Sequence, residues 1–214
     1  MKKINKILGA IALFLAVAIP SGLVFAATYG WDGTTIFDGY GSVKWSASAH
    51  TLTMTPKAAT QPSETHAALA VSGRVVHQPF QLSYTMKTVK QLRTGSAPNP
   101  WEVGWVIFGY KDTGEFKYLI LKPKGYGLEL GESLLLNKQN FLHTSTLGQY
   151  NFPVNANYNV VLRAQKNVIT VSVNGKKYLQ YTMSAKDTLP VDGKYGFYTE
   201  DASVKISNIK MQQL

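Results

Sequence analysis

Cysteine is absent from the 214-residue sequence. This absence excludes a disulfide framework, a lipid-modified cysteine, thiolate metal sites and thiol chemistry, so core packing alone must stabilise the fold. Helical patterning is missing as well: after Ala27 no stretch repeats apolar residues at i, i+3, i+4 and i+7 over three turns, and apolar and polar residues alternate instead. The sequence therefore predicts an all-β protein.

Acidic residues are few, with 12 Asp and Glu against 22 Lys and Arg, which gives a net charge of +10. The basic residues occur singly or in pairs, without a basic helix or a recognisable nucleic-acid module, so we do not expect a nucleic-acid partner. Exported basic proteins are more often found near anionic envelope polymers, or they simply stay soluble.

The first 26 residues have the pattern of a secretory signal peptide. Three lysines within the first six residues form a positive n-region, residues 7–19 are almost all apolar, and Val24-Phe25-Ala26 fits the small-x-Ala cleavage rule. We expect cleavage after residue 26, a single domain over 27–214 with a net charge of +7 once those lysines are removed, and a secreted or cell-surface location. An uncleaved anchor is the alternative, although the apolar run is short for a membrane span; after cleavage we expect no stable span.

Period-two alternation predicts about a dozen short strands with turn signals at the spacing of a β-sandwich. A long strand within 78–92 is expected to bury Phe80, Leu82, Tyr84 and Met86 on one face. Asn174-Gly175 between alternating segments predicts a two-residue hairpin. Two antiparallel sheets packed face to face account for this pattern, and we expect a jelly roll.

Residues 101–132 are predicted to form three consecutive antiparallel strands, VGWVIFGYK, FKYLILKP and YGLELGE. In the middle strand Tyr118 and Lys122 share one face, and Lys117 lies on the other. The following stretch, 134–149, is less regular and is expected to be a loop that crosses the sheet, anchored by Phe141 and Leu142.

Several runs of the sequence form a recognisable set: Lys90-Gln91-Leu92-Arg93, Pro98-Asn99-Pro100-Trp101-Glu102, Gly104-Trp105, Tyr118, Lys122-Pro123-Lys124-Gly125, Gly127-Leu128-Glu129-Leu130-Gly131, the segment from Gly193 to Ala202, and Ile206-Ser207-Asn208-Ile209. Together they resemble secreted microbial domains of the concanavalin A-like lectin/glucanase superfamily, related to family 16 glycoside hydrolases and keto-disaccharide hydrolase-like domains. The resemblance covers most of residues 27–214 and is clearest from Gln78 onward. It implies a curved antiparallel sandwich whose concave sheet commonly holds glycans.

The resemblance does not extend to catalysis. Family 16 hydrolases use a Glu-x-Asp-x-Glu or Glu-x-Asp-x-x-Glu strand, which is absent here. Glu129 and Glu132 are three positions apart, so in an extended strand they point to opposite faces, whereas a glycosidase needs a pair of carboxyl groups at a defined separation. No Gly-x-Ser-x-Gly elbow is present either.

The candidate carbohydrate-binding residues are charged and aromatic side chains of the central strands and the loop before them. A sugar site combines an apolar platform with fixed polar groups, and six residues could supply them: Arg93, Trp101, Glu102, Tyr118, Lys122 and Glu129. The alternative is a structural salt-bridge network across the sheet. For Trp105 we favour a core position, because large aromatic residues in strands usually pack inside.

The sequence gives less support for a metal site than for a sugar site. The four histidines lack i, i+2 or i, i+4 ligand spacing, so zinc is not expected. Four acidic residues near the two ends of the domain, Asp32, Asp38, Glu200 and Asp201, lie where the resemblance implies that a structural calcium ion is common. Ordinary turn acids are the alternative.

Three functions stay open at this stage. The first is a secreted, lectin-like module that binds an extracellular or cell-envelope polysaccharide on the concave sheet. The second is a glycan-active hydrolase or lyase that uses the same face, for example with Lys and Arg neutralising a uronate while Tyr118 moves a proton. The third is a structural cell-surface protein.

Overall fold

The computed structural model describes residues 27–135, 138–185 and 187–214, and the predicted signal peptide lies outside these described residues. Every regular element in the described ranges is a β-strand. These ranges contain no helix that is long and apolar enough to span a membrane. The fifteen strands are β1 Thr28–Tyr29, β2 Thr34–Phe37, β3 Ser42–Ser46, β4 Thr51–Thr55, β5 Ala67–Val76, β6 Phe80–Gln91, β7 Gly104–Asp112, β8 Glu115–Lys122, β9 Gly127–Leu134, β10 Lys138–Thr144, β11 Tyr158–Gln165, β12 Val168–Val173, β13 Lys176–Thr182, β14 Gly193–Glu200 and β15 Ala202–Gln213.

The strands form two antiparallel sheets. The eight-stranded sheet has the order β13-β12-β11-β6-β15-β4-β3, with β1 paired to β15, and the seven-stranded sheet has the order β10-β9-β8-β7-β14-β5-β2. The predicted all-β sandwich is therefore confirmed. The Asn174-Gly175 hairpin is confirmed too, because both residues adopt the positive φ angles, 50° and 81°, that such a turn requires.

The main core lies between the sheets and follows from the alternation in sequence. Phe80, Leu82, Tyr84 and Met86 of β6 are buried, as predicted, while the residues between them are only partly covered. Each fully buried large apolar side chain contributes roughly 1.5–3 kcal/mol relative to an exposed one. Without disulfides, this core holds the two sheets together.

The seven-stranded sheet is buried on both faces along β8. Leu119 and Leu121 point into the main core, whereas Tyr118 and Ile120 join a second apolar cluster on the outward face of this sheet. Lys117 is on the core side, fully buried, and forms an ion pair with Glu132 of β9. The predicted assignment of the two faces of this strand is thus confirmed.

The prediction of a loop over 134–149 is wrong, because the structure contains strand β10 there. This strand lies at the edge of the seven-stranded sheet and, among the strands that the structure describes, pairs only with β9, with a register shift between Phe141 and His143. An edge strand with exposed or half-buried positions and a bulge shows no clean period-two signal.

Candidate functional site

A cavity of about 510 Å³ opens on the outward face of the seven-stranded sheet. Four neighbouring strands, β7 to β10, contribute to it, together with the turn before β7, the turn between β8 and β9, and the end of β14. Its lining residues are Pro100, Trp101, Trp105, Ile120, Lys122, Tyr126, Glu129, Gln139, Phe141 and Glu200.

The walls of the cavity are aromatic and accessible to solvent. Trp101, Tyr126 and Phe141 are 45%, 43% and 58% exposed. Trp105 lies deeper, 4% exposed, and its Nε1 donates a hydrogen bond of 2.8 Å to the carbonyl of Trp101. That bond fixes the turn that carries the Trp101 indole, so one wall of the cavity is pre-oriented.

The floor of the cavity carries a hydrogen-bonded charge pair. Lys122 Nζ lies 2.6 Å from Glu129 Oε2, and the hydroxyl of Tyr118 donates to Glu129 Oε1 over 3.3 Å. Ile120 is the cross-strand partner of Glu129, so Tyr118 and Lys122 lie at the two diagonal positions on the same face. Burial, and then the charge of Glu129, raise the pKa of Tyr118 far above its usual range, so the phenol stays protonated as a donor.

A glycine makes room for this arrangement. Gly131 is the cross-strand partner of Tyr118, and a Cβ atom at position 131 would lie 2.3 Å from the Tyr118 hydroxyl oxygen. The phenol ring therefore passes over the backbone of β9 at a point where no side chain can stand. The position of its hydroxyl group toward Glu129 depends on that glycine.

Glu200, at the end of β14, adds a second carboxyl group to the cavity. Burial raises its pKa; a hydrogen bond of 2.6 Å from the Tyr198 hydroxyl opposes this shift, and the charge of Asp201 adds to it. Glu129 and Glu200 thus line the same cavity in different electrostatic surroundings, one paired with an ammonium group and one with a phenol.

Arg93 and Glu102, predicted as sugar contacts, do not line the cavity. Arg93 Nε donates to Glu102 Oε1 at 2.6 Å and its Nη2 to Asp201 Oδ2 at 3.0 Å, and all three side chains are almost completely buried. The guanidinium also donates to backbone carbonyls of the loop over 61–64. Its donors are therefore used inside the protein, where they tie this loop to the turn between β14 and β15.

The acidic residues considered for calcium do not fit a calcium site. Asp32 pairs with Arg74 at 2.7 Å, Asp38 accepts from the backbone of Tyr40, and Asp201 belongs to the Arg93 network. Among the residues that the structure describes, no three His, Asp or Glu side chains converge in a metal-binding group.

The structure therefore brings part of the predicted set together. Trp101, Lys122 and Glu129 line the cavity, and Tyr118 lies beneath Glu129. Sequence reasoning missed Gln139 and Phe141 because it took their strand for a loop, and it assigned Glu200 to the calcium candidates. Trp105 was predicted as a core residue, and it is almost fully buried but also contributes to the cavity floor.

Comparison with known proteins places the fold. No protein-family profile and no curated protein matches the sequence. Among solved structures, the chain is similar to the carbohydrate-binding module CBM66 from Bacillus subtilis, with a TM-score of 0.62 and 12% identity over 86% of this chain and 97% of that one. It is also similar to a Bacillus subtilis protein of unknown function with a galectin-like fold (TM-score 0.55, 12% identity, 86% and 89% of the two chains).

A third similar structure is the apo Crh5 transglycosylase, with a TM-score of 0.52 and 10% identity over 88% of this chain and 83% of that one. At sequence identities of 10–12%, these structural similarities show a shared fold. The predicted concanavalin A-like jelly-roll sandwich is therefore confirmed as the fold of this protein.

Proposed function

We propose that the protein binds carbohydrate, as a lectin-like module for an extracellular or cell-envelope polysaccharide, in the cavity on the outward face of the seven-stranded sheet. The observation that carries this proposal is the combination of exposed aromatic walls and a fixed Lys122–Glu129 pair in one cavity. Sugars present an apolar ring face together with several hydroxyl groups, so a site for them needs both kinds of surface.

Each group in the cavity has a role in this proposal. The Trp101 indole, at the rim, provides the platform against which one pyranose face stacks. Lys122 donates to a hydroxyl group and Glu129 accepts from one, and their mutual bond holds both side chains in place before the ligand arrives. Gln139 of β10 supplies an amide that can donate and accept.

The fold supports the same proposal by analogy. One similar structure is named as a carbohydrate-binding module, and another has a galectin-like fold. Because one fold carries many functions, this similarity only adds to the argument from the cavity. The signal-peptide pattern of residues 1–26 agrees with an extracellular polysaccharide as the partner.

Hydrolysis of the bound glycan is the second candidate function, and one observation favours it. Glu129 and Glu200 line the same cavity; the pKa of Glu200 is raised by burial, while Glu129 is paired with Lys122. Glycoside cleavage uses two carboxyl groups that flank the sugar in different surroundings, one as the acid and the other as the base or nucleophile.

A glycan-array and turnover screen of the purified protein tests both functions. We expect binding to a polysaccharide and about tenfold weaker affinity for Trp101→Ala, because the loss of a stacking platform of about 1.4 kcal/mol corresponds to a factor of ten. Trp45→Ala is the matched control, since Trp45 is also partly exposed but lies on β3 of the other sheet.

The outcomes separate the candidates. If the protein hydrolyses a glycan and Glu200→Gln abolishes this turnover without loss of binding, the protein is a glycoside hydrolase. Absence of binding to every glycan would contradict the proposal and leave a structural role for the sandwich.

A further inference from the structure

Charge is distributed unequally between the two sheets. The eight-stranded sheet, whose strands all lie in the described part of the chain, contains no Asp or Glu. It carries eight basic residues: Lys44, Lys87, Lys90, Arg163, Lys176, Lys177, Lys205 and Lys210. The strands of the seven-stranded sheet carry six basic and five acidic residues. The positive charge of the protein is therefore concentrated on one of its two sheets.

The register places three of these lysines in one row. Lys44 of β3 pairs with Thr53 of β4, Thr53 pairs with Lys205 of β15, and Lys205 pairs with Lys87 of β6. The alternate residues of these strands, such as Leu52 and Ile206, are buried in the core, so the row points outward. With strands about 4.8 Å apart, the row extends over about 14 Å.

This row is unfavourable for the isolated protein. Lys205 and Lys87 are direct cross-strand partners, and like charges in that position repel each other and destabilise the sheet. In the described part of the chain no carboxylate pairs with any of the three lysines, whereas Lys111, Lys117 and Lys122 of the seven-stranded sheet all form ion pairs. Binding of an anionic partner would reduce this repulsion.

The positions beside the lysine row carry mainly hydroxyl and amide groups, and the half-buried Val161 of β11 is a small apolar exception. The next row contains Thr51, Ser207, Thr85 and Asn159, and a further row brings Arg163 beside Gln81 and Thr170. Neither row contains an aromatic or a large apolar side chain. These rows lack the large apolar groups that anchor proteins in a bilayer and the rings on which nucleic-acid bases stack.

We propose that the outward face of the eight-stranded sheet, called here the basic face and defined by Lys44, Lys87, Lys205 and Arg163, binds a linear anionic polysaccharide. The polymer lies across the strands, its anionic groups meet the lysine row, and its hydroxyl groups bond to the neighbouring Ser, Thr and Gln side chains. The basic face is on the opposite side of the sandwich from the cavity, so this proposal stands independently of the proposed function.

Binding of polygalacturonate by the purified protein, measured at 50–300 mM salt, tests this proposal. Its fully methyl-esterified form is the matched uncharged probe. We expect the charged polymer to bind and the ester to bind at least tenfold more weakly. The affinity for the charged polymer should fall with salt, because binding releases counterions.

A triple variant, Lys44→Gln/Lys87→Gln/Lys205→Gln, should weaken this binding about tenfold or more at 50 mM salt. Its slope of log affinity against log salt should be smaller by about two, from roughly 0.7 for each lost contact. The matched control is Lys57→Gln/Lys111→Gln/Lys138→Gln, which removes the same charge at three exposed lysines outside the eight-stranded sheet and should bind like the wild type.

Four results would overturn the proposal: no binding of the charged polymer, equal binding of its ester, equal losses in the two triple variants, or tighter binding of duplex DNA or of anionic lipid vesicles under the same conditions. The Lys44→Gln/Lys87→Gln/Lys205→Gln variant keeps the cavity intact and should bind the uncharged glycan identified for the cavity on the array like the wild type. The experiments therefore distinguish a cavity that binds no glycan from a basic face that binds no anionic polysaccharide.

Discussion

The buried ion pair between Lys117 and Glu132 allows a quantitative prediction for Glu132→Gln. Both side chains are completely buried. Glu132 also accepts hydrogen bonds from Asn140, from the backbone and hydroxyl of Thr188, and from the backbone of Leu189, at 2.9–3.1 Å. The variant replaces a carboxylate among five donors by an amide that can accept at one atom only, and it leaves Lys117 with the more distant Asp187, at 3.4 Å.

The magnitude follows from the pKa of Glu132. Burial alone would raise it, but the hydrogen bonds, first of all that from Lys117, lower it from 4.5 to about 2. A shift of this size corresponds to about 3 kcal/mol of stabilisation. Breaking a buried ion pair by removing one partner costs about 3–5 kcal/mol. We therefore expect Glu132→Gln to lower the free energy of unfolding by about 3–5 kcal/mol at pH 7.

The same shift predicts how this loss depends on pH. Because the pKa of Glu132 is lower in the folded state, the unfolded chain binds the proton first as the pH falls. The stabilisation is complete above about pH 4.5 and disappears as the pH falls toward 2. The difference in unfolding free energy between wild type and Glu132→Gln should shrink by about 3 kcal/mol over that window.

Guanidinium unfolding at several pH values between 2 and 7 measures this difference. Lys117→Met is the comparison variant: it removes the buried cation but leaves Glu132 its four other hydrogen bonds, so we expect it to cost less than Glu132→Gln. A difference between wild type and Glu132→Gln that stays constant from pH 7 to pH 2 would refute the argument. So would a larger loss for Lys117→Met.

Two further predictions concern stability. Arg93→Met should destabilise the protein by about 3–5 kcal/mol in denaturant unfolding, because it leaves two fully buried carboxylates without their cation; Arg93→Lys should not restore stability, since an ammonium group cannot replace five donated hydrogen bonds. Gly131→Ala should cost about 1–3 kcal/mol and displace the Tyr118 hydroxyl, because the new methyl group would overlap it. Gly30→Ala, with open space around the new Cβ, should be nearly neutral and serves as its control.

The fold could be predicted because the alternation of apolar and polar residues within each strand determines which side chains face the core. Alternation in β6 and β8 specifies which residues face the core, and the structure follows it residue by residue. The same rule separated Glu129 from Glu132, which indeed pair with Lys122 and Lys117 on opposite faces of the sheet. Period-two patterns report burial, however, and β10 buries too little to produce one.

The site was harder to predict because it depends on partners far apart in sequence. Arg93 and Glu102 are candidates for a sugar site by residue type, but Asp201, about one hundred positions away, completes a network that uses them internally. Glu200 reaches the cavity only because β14 pairs with β7. No short-range pattern contains that pairing, so residue type alone could not assign these roles.

The position of β10 at the edge of its sheet has a consequence for ligand access. Phe141 and Gln139, one wall of the cavity, belong to a strand held by a single neighbour, whereas Trp105 and Lys122 on the other side lie on strands with two. Local opening of an edge strand breaks one ladder and leaves the main core intact, so it requires far less free energy than global unfolding. Under the proposed function, transient separation of β10 from β9 would let the cavity admit a bulky or branched glycan. A bound ligand that bridges the two walls would then slow hydrogen exchange selectively at the amides of β10.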